Sequence, residues 1–108
     1  MHEIGIAQDI LAKAVDAASK KGLIKISNIS LKIGESYLVS DDEIKEAFRT
    51  VSKGSLAERA ELNVKIIPLK AKCSNCGKDF TAAALSCPGC GGRQIEITQG
   101  QEMLVEVS

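Results

Sequence analysis

The chain has 108 residues, 44% of them hydrophobic, with 14 basic and 14 acidic residues that cancel. That length allows one ordinary domain, or a small domain with a smaller one attached, and the balanced charge argues against a nucleic-acid binder, which normally carries a basic footprint. Aromatics are only 3%, without Trp, so any core must be built from Ile, Leu, Val and Ala.

Residues 4–21 read as an amphipathic helix. Ile6, Ile10, Ala14 and Ala17 recur at helical spacing, Leu11 and Ala18 widen the stripe, and Gly22 follows as a C′ residue. Lys20 and Lys21 suit the negative end of that helix. Residues 23–33 read as a strand in which Ile24 and Ile26 alternate, as do Ile29, Leu31 and Ile33. The phase slips between Ile26 and Ile29, which predicts a bulge or kink near Ser27-Asn28. Gly34 to Val39 is a loop.

Ser40 and Glu43 fit a capping box. The helix they open carries Ile44, Ala47, Phe48 and Val51 on one face and ends near Gly54. A second strand over 61–69 alternates Leu62, Val64 and Ile66. Two strands joined by a helix predict a parallel pair with a right-handed crossover. Ile95-Ile97 and Met103-Val105-Val107 read as two further strands around Gly100, the last returning to the first sheet.

Between Ala71 and Gly92 the composition shifts to four Cys, four Gly and one Pro, with little apolar periodicity. Such an insert cannot bury enough to fold alone and calls for a metal. Cys73-Ser-Asn-Cys76-Gly77 and Cys87-Pro-Gly-Cys90-Gly91 are matching half-sites, each bringing two sulfurs toward one ion. Zn2+ suits four thiolates in tetrahedral array; rubredoxin-like iron and a redox dithiol are the alternatives. A closed four-sulfur sphere is structural, not catalytic. Zinc ribbons serve ribosomal proteins, transcription factors and metallochaperones alike, so the module alone names no function.

No apolar run approaches the roughly 18 residues of a membrane span. Glu3, Asp9, Lys13 and Asp16 interrupt any apolar N-terminal stretch of the kind a secretory signal needs. The cysteines are therefore expected in a reducing cytoplasm, as metal ligands and not as disulfides.

The sole histidine, His2, lies in Met1-His2-Glu3. A lone terminal His is usually an exposed, silent residue. Here the bulky His2 disfavours removal of Met1, so a free α-amine lies beside an imidazole. Amine, amide nitrogen and imidazole chelate in fused rings that suit square-planar Ni(II) or Cu(II). The amides at the start of a helix also lack intrahelical acceptors, so deprotonating them sacrifices few bonds. Binding of this kind weakens as pH falls through the histidine range, which makes it reversible.

Met1-His2-Glu3-Ile4, Ile33-Gly34-Glu35, Ala60-Glu61-Leu62 leading into Pro68, the two Cys-x-x-Cys units and the terminal stretch from Gly100 to Val107 occur in register. Together they resemble HypA, the nickel metallochaperone family of [NiFe]-hydrogenase maturation, over essentially the whole chain. The resemblance implies an α+β fold. A three-stranded mixed sheet with two helices would form a nickel-binding domain (residues 1–70 and 101–108), joined to a zinc-ribbon-like four-cysteine module (71–100). It implies Ni2+ as transported cargo, ligated by the Met1 amine, the His2 imidazole and nearby backbone amides including that of Glu3. Structural Zn2+ would sit on Cys73, Cys76, Cys87 and Cys90.

It further implies a HypB-type GTPase and the hydrogenase large-subunit precursor as partners, with urease served by the same proteins in some bacteria. A carrier, not an enzyme, is expected, with no nucleic-acid or membrane partner. The exposed edge of so small a sheet also offers pairing to a second copy, a homodimer. Two rivals differ in class: a nucleic-acid-binding zinc ribbon with a silent His2, and a Cys-x-x-Cys oxidoreductase with one pair free of metal. The chain departs from the family in a slightly short gap between the Cys pairs, in Arg59 where relatives often have Gly, and in having no His inside the cysteine module.

Overall fold

The structure, a computed structural model, describes residues 2–81 and 86–108. The chain forms two compact units: Met1–Lys32 with Val39–Lys65 and Met103–Ser108, and Ile33–Leu38 with Ile66–Glu102.

Helix α1 spans His2–Lys21, so it begins earlier than the expected residue 4. It closes as its glycine predicts: Gly22, at φ +71°, donates to the Ser19 carbonyl (3.1 Å) and Leu23 donates to that of Ala18 (2.9 Å), a Schellman ending. Lys21 Nζ donates to the Val107 carbonyl at 2.8 Å. The buried stripe is Ala7, Ile10, Ala14 and Ala18, while the expected Ile6 and Ala17 are only half-buried. The stripe is rotated because α1 packs against other elements on two sides, where small alanines permit close approach.

Strand β1 covers Asn28–Gly34 and is followed by a single 3-10 turn, Glu35–Tyr37. Ile29, Leu31 and Ile33 are fully buried, whereas Asn28, Ser30 and Lys32 are exposed, the period-2 pattern of a sheet with one wet face. The slip in phase marks where the chain enters the sheet: Ile24, expected in the strand, is 90% exposed, and Ile26 is buried in the connection. Helix α2 is Asp41–Val51. Ser40 Oγ accepts from the Glu43 amide and Glu43 Oε1 from the Ser40 amide, both at 3.1 Å, so the capping box forms as read. Its Ile44, Ala47 and Phe48 are buried, and α2 packs on α1.

Strand β2 is Glu61–Ile67. Beyond it come β3 (Lys70–Cys73), β4 (Asp79–Thr81), β5 (Ile95–Gln99) and β6 (Met103–Val107). The first sheet has the order β2-β1-β6. Asn28 and Ser108 exchange backbone bonds, and the Gly34 amide reaches the Glu102 carbonyl at 2.7 Å, so β1 and β6 are antiparallel. The Glu61 amide donates to Ser27 at 2.9 Å, joining the start of β2 to the start of β1, as a parallel pair requires. The returning last strand and the mixed three-stranded sheet are thus as expected. α1 packs against β6 and α2, which places Val107 and the α1 alanines in one core.

The strand expected over 61–69 stops at Ile67, because Pro68 has no amide to donate. β3 then belongs to a second antiparallel sheet, β4-β3-β5, in which Ala71 pairs with Phe80 and with Ile97. β3 and β4 were not expected; Lys70-Ala-Lys-Cys73 offers too little apolar surface to betray a strand.

The segments Gly34-Glu35 and Gly100-x-Glu102 meet within this second unit. Glu35 Oε1 accepts from the Leu69 amide (2.9 Å), Gln99 Nε2 donates to the Pro68 carbonyl (3.0 Å), and the Ser36 amide donates to the Gly100 carbonyl (3.0 Å). Glu102 Oε1 accepts from the Gly100 amide at 2.6 Å. A side chain on Gly34 would strike the Gly100 carbonyl, and one on Gly100, at φ +101°, would strike the Leu69 backbone. These motifs hold three chain segments together and leave no room for anything larger than hydrogen.

Candidate metal centre

Cys73 closes β3 and the other three cysteines follow on two turns. The turns are wired alike. The Gly77 amide donates to the Cys73 carbonyl (2.8 Å) and the Cys73 amide to the Lys78 carbonyl (2.9 Å); in the second turn Gly91 donates to Cys87 (2.9 Å) and Cys87 to Gly92 (2.8 Å). Gly77 and Gly91 sit at φ +79° and +74°, a left-handed conformation that favours glycine and lets each chain reverse after its second cysteine. Identical Cys-x-x-Cys-Gly strings therefore fold into identical loops.

The four Sγ atoms lie within 4.8 Å of one another. Cys73 and Cys90 sulfurs are 3.6 Å apart and those of Cys76 and Cys87 3.5 Å. A tetrahedral ion with metal–sulfur bonds of about 2.3 Å has sulfur–sulfur edges of about 3.8 Å, so the cluster matches one ion. A disulfide would need about 2 Å, and all four thiols are free. Cys73 and Cys87, the first of each pair, are buried; Cys76 and Cys90 are exposed. The centre is thus anchored on one side and open to solvent on the other.

Amide donors are aimed at these sulfurs. The Gly89 amide donates to Cys87 Sγ (3.3 Å) and the Gly92 amide to Cys90 Sγ (3.4 Å), with Asn75 Nδ2 adding a weaker contact to Cys90 at 3.7 Å. Backbone donation from Cys90 and then Gly89 outweighs burial and draws the Cys87 thiol down to about 6. Gly92 and Asn75 lower Cys90 in the same way. Cys76 receives the Lys78 amide, which lowers it, but its proximity to Cys87, burial, and the Cys73 and Cys90 sulfurs together push it up to about 12. Four thiolates this close cannot all be charged without a cation. A metal supplies it, displacing the protons that remain.

Of the residues expected to hold nickel, Met1 and the His2 side chain lie outside the described residues. His2 is the first residue of α1, and Glu3 lies in its first turn, half-buried. Glu3 and Ile4 line an open groove with Glu43, Glu46, Ala47 and Thr50 of α2. The sequence marks Glu43 only as a cap and Glu46 not at all; packing of the helices brings both to this groove. Among the described residues no helix is long and apolar enough to cross a membrane.

Comparison with known proteins agrees over the full length. Residues 1–107 match the model of the family described as hydrogenase/urease nickel incorporation, metallochaperone, HypA. The chain is 35% identical to the hydrogenase maturation factor HypA of Aquifex aeolicus, covering 98% of this chain and 94% of that protein. It is 37% identical to that of Dehalococcoides mccartyi, covering 98% and 91%. The solution structure of the Ni metallochaperone HypA from Helicobacter pylori superposes with a TM-score of 0.72 at 28% identity, over 98% of this chain and 94% of that one. The chain belongs to the HypA family of nickel metallochaperones of hydrogenase maturation, proteins that carry a metal and do not catalyse a reaction.

Proposed function

We propose that this chain carries Ni(II) on its first residues and keeps a permanent zinc ion on Cys73, Cys76, Cys87 and Cys90. The nickel ligands are the Met1 α-amine, the His2 imidazole and the adjoining amides, including that of Glu3. The observation that carries this reading is the start of α1 at His2. The first amides of a helix have no acceptor inside it, so those of His2 and Glu3 can give up their protons to a metal without breaking the helix. A bare cation would be repelled by the positive end of a helix. Deprotonated amide nitrogens reverse that sign, and Glu3, Glu43 and Glu46 add negative charge along the neighbouring groove.

An N-terminal site of amine, amide and imidazole suits release. Its ligands regain protons readily, so a partner with better ligands can extract the ion. We assign a HypB-type GTPase and the hydrogenase large-subunit precursor as those partners, in the cytoplasm, and a second copy as a further partner at a free sheet edge. The four-sulfur centre does the opposite work. Redox-silent Zn2+ in a closed thiolate sphere holds the second unit and exchanges nothing.

The test is a nickel titration of three zinc-loaded forms: the native chain, His2→Ala, and a form with two residues added before Met1. Only the native chain should bind one Ni(II) with a square-planar spectrum, while all three keep one zinc. Undiminished nickel binding by the extended form would sink the amine assignment, and iron in place of zinc would sink the other.

A further inference from the structure

The second cysteine turn has two glycines, Gly89 and Gly92, that adopt no left-handed conformation. Their backbone angles do not explain the absence of a side chain; space does. A methyl on Gly89 would lie 3.0 Å from Lys78 Cδ, 3.7 Å from Lys78 Nζ and 3.6 Å from Cys87 Sγ. A methyl on Gly92 would lie 3.3 Å from Cys90 Sγ and 3.7 and 3.8 Å from Asn75 Cβ and Nδ2. Two side chains of the first turn thus lie over the two glycines of the second, and Asn75 also reaches the Cys90 sulfur.

Lys78 is tied to both turns. Its carbonyl accepts from the Cys73 amide and its own amide donates to Cys76, while its side chain crosses to Gly89, two residues after Cys87. Among the described residues no carboxylate pairs with it. Four thiolates around a divalent ion leave a net charge of −2, and an ammonium group this near offsets part of it. Outer groups that orient and neutralise ligands commonly decide how firmly a site holds its metal.

We propose that Lys78, assisted by Asn75, is a positioning residue of the cysteine centre: a cross-turn clamp that neutralises and shields the Cys87 and Cys90 thiolates. The clamp slows loss of the resident ion and attack on its sulfurs. In a protein that also handles a cargo metal, it helps keep the two metals apart. This rests on the resident-zinc reading above.

The experiment uses the zinc-loaded full chain with the variants Lys78→Met, Lys78→Arg and Gly89→Ala. Zinc affinity is read by competition with a chromogenic chelator, and iodoacetamide alkylation is mapped at each cysteine by mass spectrometry. Lys78→Met, which keeps the stem and removes the charge, should weaken zinc binding about 10-fold, the low end for an outer-shell change. It should also speed alkylation chiefly at Cys87. Lys78→Arg should restore both, and Gly89→Ala, which displaces the stem, should match Lys78→Met. Native affinity in Lys78→Met, or failure of Lys78→Arg to restore it, overturns the clamp. Elemental analysis of the native chain decides the identity of the resident metal separately.

Discussion

In the unit that carries α1, α2 and the mixed sheet, a continuous set of apolar side chains is buried, from Ala7, Ile10 and Ala14 through Ile29 and Leu31 to Ile44, Phe48, Leu62 and Val107. In the unit that carries β3, β4 and β5, the buried apolar residues among those described are Ile33, Ala71, Cys73 and Cys87. The first unit holds itself by removing hydrocarbon from water; the described part of the second relies on amide–sulfur bonds, the Gly34–Gly100 contact and the chelation its four cysteines offer. The difference suits a carrier. The metal that must stay is built into the fold that depends on it, and the metal that must leave is assigned to a helix start whose fold does not.

Removing the resident metal should break that comparison most visibly. Chelation, or Cys73→Ser, should abolish amide protection across β3, β4 and β5 while α1, α2 and β1 stay protected in hydrogen exchange. A structural zinc is worth roughly 10 kcal/mol or more to a fold of this kind, beyond what the buried apolar residues described in that unit supply. Retained protection in the second unit would show that it has a sufficient core after all.

The converse substitution is smaller. Leu31→Ala empties a fully buried position of the first unit and should cost about 3 kcal/mol in denaturant unfolding, with zinc affinity unchanged. A loss of zinc together with this residue would mean that the units do not differ as described.

The smallest effect is a single proton. In the folded turn the Cys87 thiol is drawn down to about 6 from an ordinary 9.0 by backbone donation from Cys90 and Gly89. Its depressed value stabilises that state fully above about 9, and the contribution is lost as pH falls through about 6. Cys76, pushed up to about 12, keeps its proton throughout and must surrender it to the metal. In the metal-free chain, where those turns are lost, the Cys87 thiol should return to its ordinary 9.0, read from thiolate absorbance against pH. A Cys87 thiol titrating near 6 without metal would show that the second turn keeps its shape unaided and would contradict the comparison.

Much of this was legible in the residues themselves. Ser40 and Glu43 announced the cap of α2, the Ile29-Leu31-Ile33 alternation announced β1, and two Cys-x-x-Cys-Gly strings announced the cluster with all four ligands. What stayed hidden depended on tertiary packing. The face of α1 turned because α2 and β6 both press on it, so Ala7 is buried and Ala18, at the edge of the expected stripe, is central to it, while Ile6 and Ala17 are half-buried. β3 and β4 carry too little apolar surface to show a period, since hydrogen bonds and the metal do the work that hydrophobic side chains do elsewhere. Glu43 and Glu46 reached the groove beside Glu3 only through the contact between helices, and Lys78 reached Gly89 across a turn that no spacing rule describes.

The division between a metal that stays and a metal that leaves is tested most directly by X-ray absorption at the nickel and zinc edges of one doubly loaded sample. Nickel should show nitrogen or oxygen neighbours only, in square-planar geometry, and zinc four sulfurs at about 2.3 Å. Sulfur around the nickel, or fewer than four sulfurs around the zinc, would contradict it.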